Sequence, residues 1–257
     1  MCTIALLHRV VPDHPLVIAA NRDELYARPA TVPQPVHPGI VAGLDGTHGG
    51  TWMGVTAGGF FAGITNQRTV SAPDRSLGSR GQVVLEVLRA GSRGKARALL
   101  EALDPALYNS FNLVFGDAGG ADVAYARRES ATLDLVPVPE GIHVLPNDRL
   151  DSPEFVKVAR LRGALEEAAG APWPELESQL QALLADHEHP SAEEIAMPPA
   201  GFPRELAAKL QAVCIHTEHY GTRSASLIAL DPGRVARYLF ADGPPCRTAF
   251  QDFTALV

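Results

Sequence analysis

The sequence predicts an α+β protein built as a four-layer αββα sandwich, two stacked antiparallel sheets with helices packed outside them. Three observations carry that expectation. Apolar runs of strand length come in adjacent pairs joined by turn-forming residues, as antiparallel hairpins require. Helical periodicity is confined to two blocks that separate groups of strands. The regular βαβα alternation of a doubly wound parallel sheet is missing.

Taken in order, "CTIALLHRV" (2–10) and "PLVIAANRD" (15–23) are two strands joined by the turn-rich "VPDHP". Residues 29–50 are rich in proline and glycine and read as loop. "GTWMGVT" (50–56) and "GFFAGITN" (59–66) form a second pair, with "AGG" as the turn. The period then changes. "GQVVLEVLRA" (81–90) and "GKARALLEALD" (94–104) carry apolar residues at helical spacing, separated by Gly91 and Gly94. Strands return at 111–117, 121–127, 131–138 and 141–147. A helix start follows, with Ser152 as cap, Pro153 in the first turn, and an apolar face through Phe155, Val158, Leu161 and Leu165. "PELESQLQALLADH" (174–187) reads as another helix. Strands "AVCIHTE" (212–218), "SASLIALD" (224–231), "RVARYLFAD" (234–242) and the short "TAFQDF" (248–253) close the chain. "PPAG" at 198–201 reads as a surface loop inside one domain spanning 1–257, with no internal repeat.

Composition bounds the function. The chain has 257 residues, 46% hydrophobic and 20% charged, enough for a substantial core. A formal net charge of −7 argues against general nucleic-acid binding, which needs a basic surface. A small anionic ligand held by a few arginines stays compatible. The three cysteines, Cys2, Cys214 and Cys246, form no CxxC pair and are odd in number, which points to a reducing compartment. The first residues lack the long apolar region of a signal peptide, and no run approaches the roughly 18 apolar residues of a membrane span. The expected location is the cytoplasm.

Several stretches carry candidate chemistry. "ANRDELYARP" (20–29) places Arg22 and Asp23 at the end of a strand beside the N-terminal strand, where they can orient each other or a carboxylate ligand. "DGTHGGTWMG" (45–54) is glycine-rich but lacks the GK[ST] ending of a phosphate loop, so its glycines are expected to permit close backbone packing. "HEH" (187–189) and the pair His216 and His219 have metal-like spacing without a supporting second cluster, so no metal or other cofactor is expected. No GxSxG elbow is present. Asn66 in "AGITNQR" and Asn147 in "HVLPNDR" stand at strand ends, and Arg223 in "YGTRSASLIAL" stands at a strand entrance.

Together, the opening "MCT" with "ANRDE", "GGTWMG", "GITN", "LPND" and "YGTRS" resembles the NRDE proteins, also called the transport and Golgi organisation 2 family, over nearly the whole chain. That family is in turn similar, more remotely, to cysteine N-terminal nucleophile hydrolases such as penicillin V acylase and bile salt hydrolase. What this resemblance implies is a site of Cys2, Asp23, Asn66, Asn147 and Arg223, with Asn21, Arg22 and Trp52 as substrate contacts. The hydrolases separate their arginine from the aspartate, whereas here the two are adjacent, so either Asn21 or Arg22 takes the arginine's place. Loss of Met1 gives Cys2 a free α-amine, with an unperturbed pKa near 8, to act as base. The implied chemistry is attack on a linear amide or acyl group through a thioester. The family also implies a second, non-catalytic reading: handling of haem, acyl-coenzyme A or lipid in the same cleft. Because neighbouring residues of a strand face opposite ways, Asp23 is expected to face Cys2, with Arg22 at the rim or behind. Arg223 is expected to outweigh burial and lower the thiol pKa.

Overall fold

The computed structural model describes residues 2–68, 73–195 and 203–257. The chain starts with the hairpin β1 (Thr3–Val11) and β2 (His14–Leu25). It then builds β3 (Gln34–His37), β4 (Ile40–Ala42), β5 (Met53–Thr56) and β6 (Phe61–Asn66). Helices α1 (Arg80–Ala90) and α2 (Arg93–Glu101) follow, and then β7 (Phe111–Asp117), β8 (Gly120–Ala126) and β9 (Asp134–Pro137). Strand β10 (Gly141–Leu145) leads into α3 (Val156–Ala168), α4 (Trp173–Leu184) and the short α5 (Arg204–Lys209). The last strands are β11 (Tyr220–Asp231), β12 (Arg234–Ala241) and β13 (Gln251–Asp252).

These strands form two sheets, in the orders β10-β1-β2-β11-β12-β13 and β3-β4-β5-β6-β7-β8-β9. Every paired neighbour runs antiparallel. The second sheet is a meander in strict chain order. The first is assembled from three distant parts of the chain, with β2 clasped between β1 and β11.

Side-chain alternation creates three apolar layers. Between the sheets, Ile4, Leu6, Leu16, Ile18 and Ile228 meet Val55, Phe61, Val114 and Val123. On the outer face of the first sheet, Ala5, Leu7, Val17, Ala19 and Leu227 pack under Val158, Leu161 and Leu165 of α3 and Leu176, Leu180 and Leu184 of α4. On the outer face of the second sheet, Phe111, Leu113 and Phe115 pack under Val84, Val87 and Leu88 of α1 and Ala96 and Leu100 of α2. This is the αββα sandwich that the pattern predicts. No helix among the described residues is long and apolar enough to cross a membrane.

The structure departs from the sequence reading in four places. The stretch expected to be loop holds β3 and β4, because β5 offers a free edge and Ile40, Val41 and Ala42 bury against it. Residues 212–218 form no strand. They double back on β11, where Thr217 N–H donates to Tyr220 O and Thr222 N–H to Ile215 O, leaving one isolated bridge, His216 to Gly221. Helix α3 starts at Val156, since the Ser152 hydroxyl donates to Asp148 Oδ2 instead of capping. Helix α5 has no counterpart in the sequence reading, and "PPAG" lies outside the described residues.

The glycines of "DGTHGGTWMG" do serve close packing. A Cβ on Gly50 would run into the backbone of Gly81 at the start of α1, where Thr51 N–H donates to Gly81 O at 3.1 Å. By contrast, Gly94 in α2 has open space around its Cβ position. Urea unfolding is therefore expected to show Gly50→Ala destabilised by about 1–3 kcal/mol through overpacking. Gly94→Ala is expected to be stabilised by roughly 0.5–1 kcal/mol through helix propensity.

Candidate active site

Strand pairing brings the N-terminal cysteine between two motifs. Thr3 pairs with Asn21 on β2, and Ile4 pairs with Leu145 on β10. Cys2, immediately before Thr3, lies at this end of β1, next to the 146–148 loop that follows β10. Arg22 pairs with Ser224 on β11. Here a cleft with about 240 Å³ of empty space, open solvent included, lies between the sheets, lined by Cys2, Asn21, Arg22, Trp52, Met53, Ile64 and Ser226 among others.

Alternation along β2 decides which groups enter that cavity. Ile18 and Ala20 face the second sheet, and Arg22 continues their parity. Its guanidinium is only 7% exposed and lies 4.3 Å from the Trp52 ring centroid, a cation–π contact. Burial lowers the Arg22 pKa. The compensating charge comes from Asp45, 3.5 Å away, whose carboxylate also accepts from Arg28 Nε at 2.6 Å and from the backbone N–H groups of Thr47 and His48. Burial alone would raise the Asp45 pKa, but these donors outweigh it and the pKa is lowered. So the glycine-rich loop supplies the counter-ion for Arg22. This placement reverses the expectation that Arg22 sits at the rim or behind.

Asn21 and Asp23 share the opposite parity and point toward the helices. Asn21 Nδ2 donates to Leu184 O at the end of α4 and to Val213 O, which ties helix and loop to the sheet. Of the two residues that stood for the arginine's place, it is Arg22 whose side chain reaches the cavity. Asp23 Oδ1 accepts from Thr222 Oγ1 at 2.6 Å, and its backbone carbonyl accepts from Cys2 Sγ at 3.9 Å and Tyr220 Oη at 3.1 Å. Burial raises the Asp23 pKa.

Sequence reasoning missed Lys157 on α3, which is 1% exposed and interacts electrostatically with both Asp23 and Cys2. Its ammonium has no hydrogen-bond partner among the described residues, and burial lowers its pKa. The only signal was a lysine within the apolar face "FVKV", a position that looks like a solvated helix edge.

The two asparagines also meet. Asn147 is 4% exposed, and its Nδ2 donates to Asn66 O at 2.5 Å, while Arg68 N–H donates to Asn147 O at 2.8 Å. Asn112, a second residue the sequence did not reveal, is fully buried beneath them. It donates through Nδ2 to Thr65 Oγ1 and Asp148 O, and it accepts from Gln67 Nε2. That network locks the "LPND" loop to the ends of β6 and β7. Arg223 is the unpaired residue where the β2–β11 register shifts between Thr222 and Ser224. It lies at the same end of the sandwich, and its Nε is buried without a partner among the described residues.

A family model described as Transport and Golgi organisation 2 matches residues 1–239. The chain belongs to that family. The Transport and Golgi organization protein 2 homolog of Bos taurus is 31% identical over 229 residues, covering 84% of this chain and 82% of the relative. The Homo sapiens homolog is 29% identical over 228 residues, with the same coverage. Among solved structures, a mutant conjugated bile acid hydrolase from Clostridium perfringens superposes with a TM-score of 0.55 at 10% identity, covering 99% of this chain and 93% of the other. Penicillin V acylase from Agrobacterium tumefaciens gives 0.50 at 14% identity, covering 99% and 86%. The resemblance read from the motifs holds, and the family member in hand has the N-terminal nucleophile hydrolase fold.

In this family member, burial pushes the Cys2 thiol pKa up, and the neighbouring Arg22 charge does not offset it. The expected lowering of the thiol is overturned, because leaving water costs the thiolate more than a cation returns. Alkylation by iodoacetamide is therefore expected to titrate above the roughly 8.5 of a free cysteine, with Cys2 reacting more slowly at pH 7 than a small-molecule thiol. A second expectation concerns Lys157. Its folded-state pKa lies below the unfolded value of about 10.4, so between the two the unfolded chain binds more protons and stability rises with pH. The stability of Lys157→Met relative to the native sequence should then fall as pH rises toward about 10.4 in urea titrations.

Proposed function

We propose that the chain is a cysteine N-terminal nucleophile hydrolase or acyltransferase acting on a small linear amide or other acyl substrate. The observation that carries this reading is that Cys2 lines the cleft between the sheets together with Arg22 and Trp52. Two proteins of the same fold are named for related chemistry, one a conjugated bile acid hydrolase and the other a penicillin V acylase.

In this proposal, removal of Met1 frees the Cys2 α-amine. The amine takes the thiol proton as Sγ adds to the substrate carbonyl carbon. The tetrahedral intermediate collapses by breaking the carbon–nitrogen bond, and the ammonium returns that proton to the leaving amine. Water then attacks the thioester carbon, giving its proton to the same amine. The carbon–sulfur bond breaks and the thiol is restored. In acyl transfer, an acceptor nucleophile replaces water. Asp23, anchored by Thr222, orients the amine. The carboxamides of Asn66 and Asn147 serve the oxyanion, where one donor is worth roughly 3 kcal/mol. Arg22 and Trp52 hold the substrate, and Arg223 adds positive charge at that end of the sandwich.

The test is intact mass of protein purified from its own cells, followed by turnover of N-acyl p-nitroanilides of increasing chain length. The expected mass lacks Met1. The expected kinetics show a loss of at least about a thousandfold in kcat for Cys2→Ala and a raised KM with little change in kcat for Arg22→Ala. Retained Met1 in active protein, turnover that survives Cys2→Ala, or no turnover and no acyl-enzyme mass across the series would each overturn the proposal.

A further inference from the structure

Three side chains outside the cavity converge, although the sequence scatters them. Cys214 and His216 precede β11, and Cys246 follows β12. Their ligand atoms lie within 4.8 Å of one another. Cys214 Sγ is 3.8 Å from Cys246 Sγ and 3.6 Å from His216 Nε2, and His216 Nε2 is 3.1 Å from Cys246 Sγ. Both cysteines are free thiols. Cys214 is fully buried, while His216 and Cys246 are half-buried, so the cluster is open to solvent on one side.

Those separations have a recognisable scale. Tetrahedral zinc with Zn–S near 2.3 Å and Zn–N near 2.0–2.1 Å sets its ligands about 3.8 Å apart for S···S and about 3.6 Å for S···N. Two of the three edges already have these lengths, and the third is within about half an ångström. A disulfide would instead need the sulfurs to close to about 2.05 Å. A fourth group stands close by. The His187 ring centroid is 6.1 Å from that of His216, and its segment is held to the cluster by Cys214 N–H donating to Asp186 O at 2.7 Å.

We propose that Cys214, His216 and Cys246 form a binding site for a single zinc ion, with the fourth position open to His187 or water. Binding forms two Zn–S bonds and one Zn–N bond, and releases the two thiol protons to solvent. Two thiolates and an imidazole select zinc over the hard cations magnesium and calcium. The site ties the chain after β12 to the turn before β11. That turn lies two hydrogen bonds from the cavity end: Ile215 N–H donates to Thr222 Oγ1, which donates to Asp23 Oδ1. Occupancy therefore stiffens the backbone on which Asp23 rests. The "HEH" motif enters through His187 alone.

The experiment uses the full chain, reduced, with cobalt(II) as a spectroscopic probe and zinc in competition. The expected result is one cobalt per chain with thiolate-to-metal charge transfer and the intense visible bands of tetrahedral geometry, displaced by one zinc. Calorimetry in buffers of different ionisation enthalpy should report about two protons released per zinc. Cys246→Ser should weaken zinc binding by at least about a hundredfold and abolish the zinc-dependent rise in Tm. Cys2→Ser should change neither, which separates this site from the proposed nucleophile. Weak octahedral cobalt spectra, or binding unchanged in Cys246→Ser, would overturn the site. So would a Cys214–Cys246 disulfide in protein from its own cells whose reduced form fails to bind zinc.

Discussion

The period-two register of β2, clasped between β1 and β11, is the constraint on which the site depends. One strand carries Asn21, Arg22 and Asp23 in succession, and the pleat sends them to alternate faces. Arg22 enters the space between the sheets, while Asn21 and Asp23 enter the layer under α3 and α4. A slip of one residue would exchange these faces and bury Arg22 among aliphatic side chains. The register is held by the matching apolar alternation of Leu16 to Ala20, which fills both adjoining layers. Packing of ordinary aliphatic residues thus aims the polar ones.

Burying charge so near the centre of a sandwich is costly, and the structure answers it in different ways on the two faces. Arg22 has a carboxylate and an aromatic ring, both delivered by the 45–54 loop. Asp45 is itself anchored by Arg28 and by two backbone N–H groups, so the counter-ion is fixed before the arginine meets it. On the helix side, Lys157 faces Asp23 and Cys2 electrostatically without a hydrogen bond to its ammonium among the described residues.

The second sheet contributes through its ends. Asn112 joins β6, β7 and the 146–148 loop through one buried carboxamide, and Asn147 then bonds to Asn66 O across the gap between the sheets. The neighbours of 10–14% identity show how little sequence the sandwich itself requires. Alternating apolar strands of the right length suffice for the layers. The polar groups at this end of the sandwich need particular residues at particular registers.

Much of this was legible in the chain alone. Paired apolar runs with turn formers between them determined the antiparallel sheets, because hairpin pairing is local and its period shows in a short window. Helices α1, α2 and α4 showed for the same reason. The order of the short motifs carried the family and the list of site residues. What the tertiary structure alone decided depended on long-range contact. The free edge of β5 turned a proline-rich stretch into β3 and β4, and the return of 212–218 onto β11 removed a strand. The register of β2 put Arg22 in the cavity. Burial, which no local pattern measures, raised the Cys2 thiol instead of lowering it. Asn112 and Lys157 stayed hidden because their environments are made by segments tens of residues away, as is the meeting of Cys214, His216 and Cys246. Sequence spacing records neighbours along the chain, and these groups become neighbours only when the sheets close.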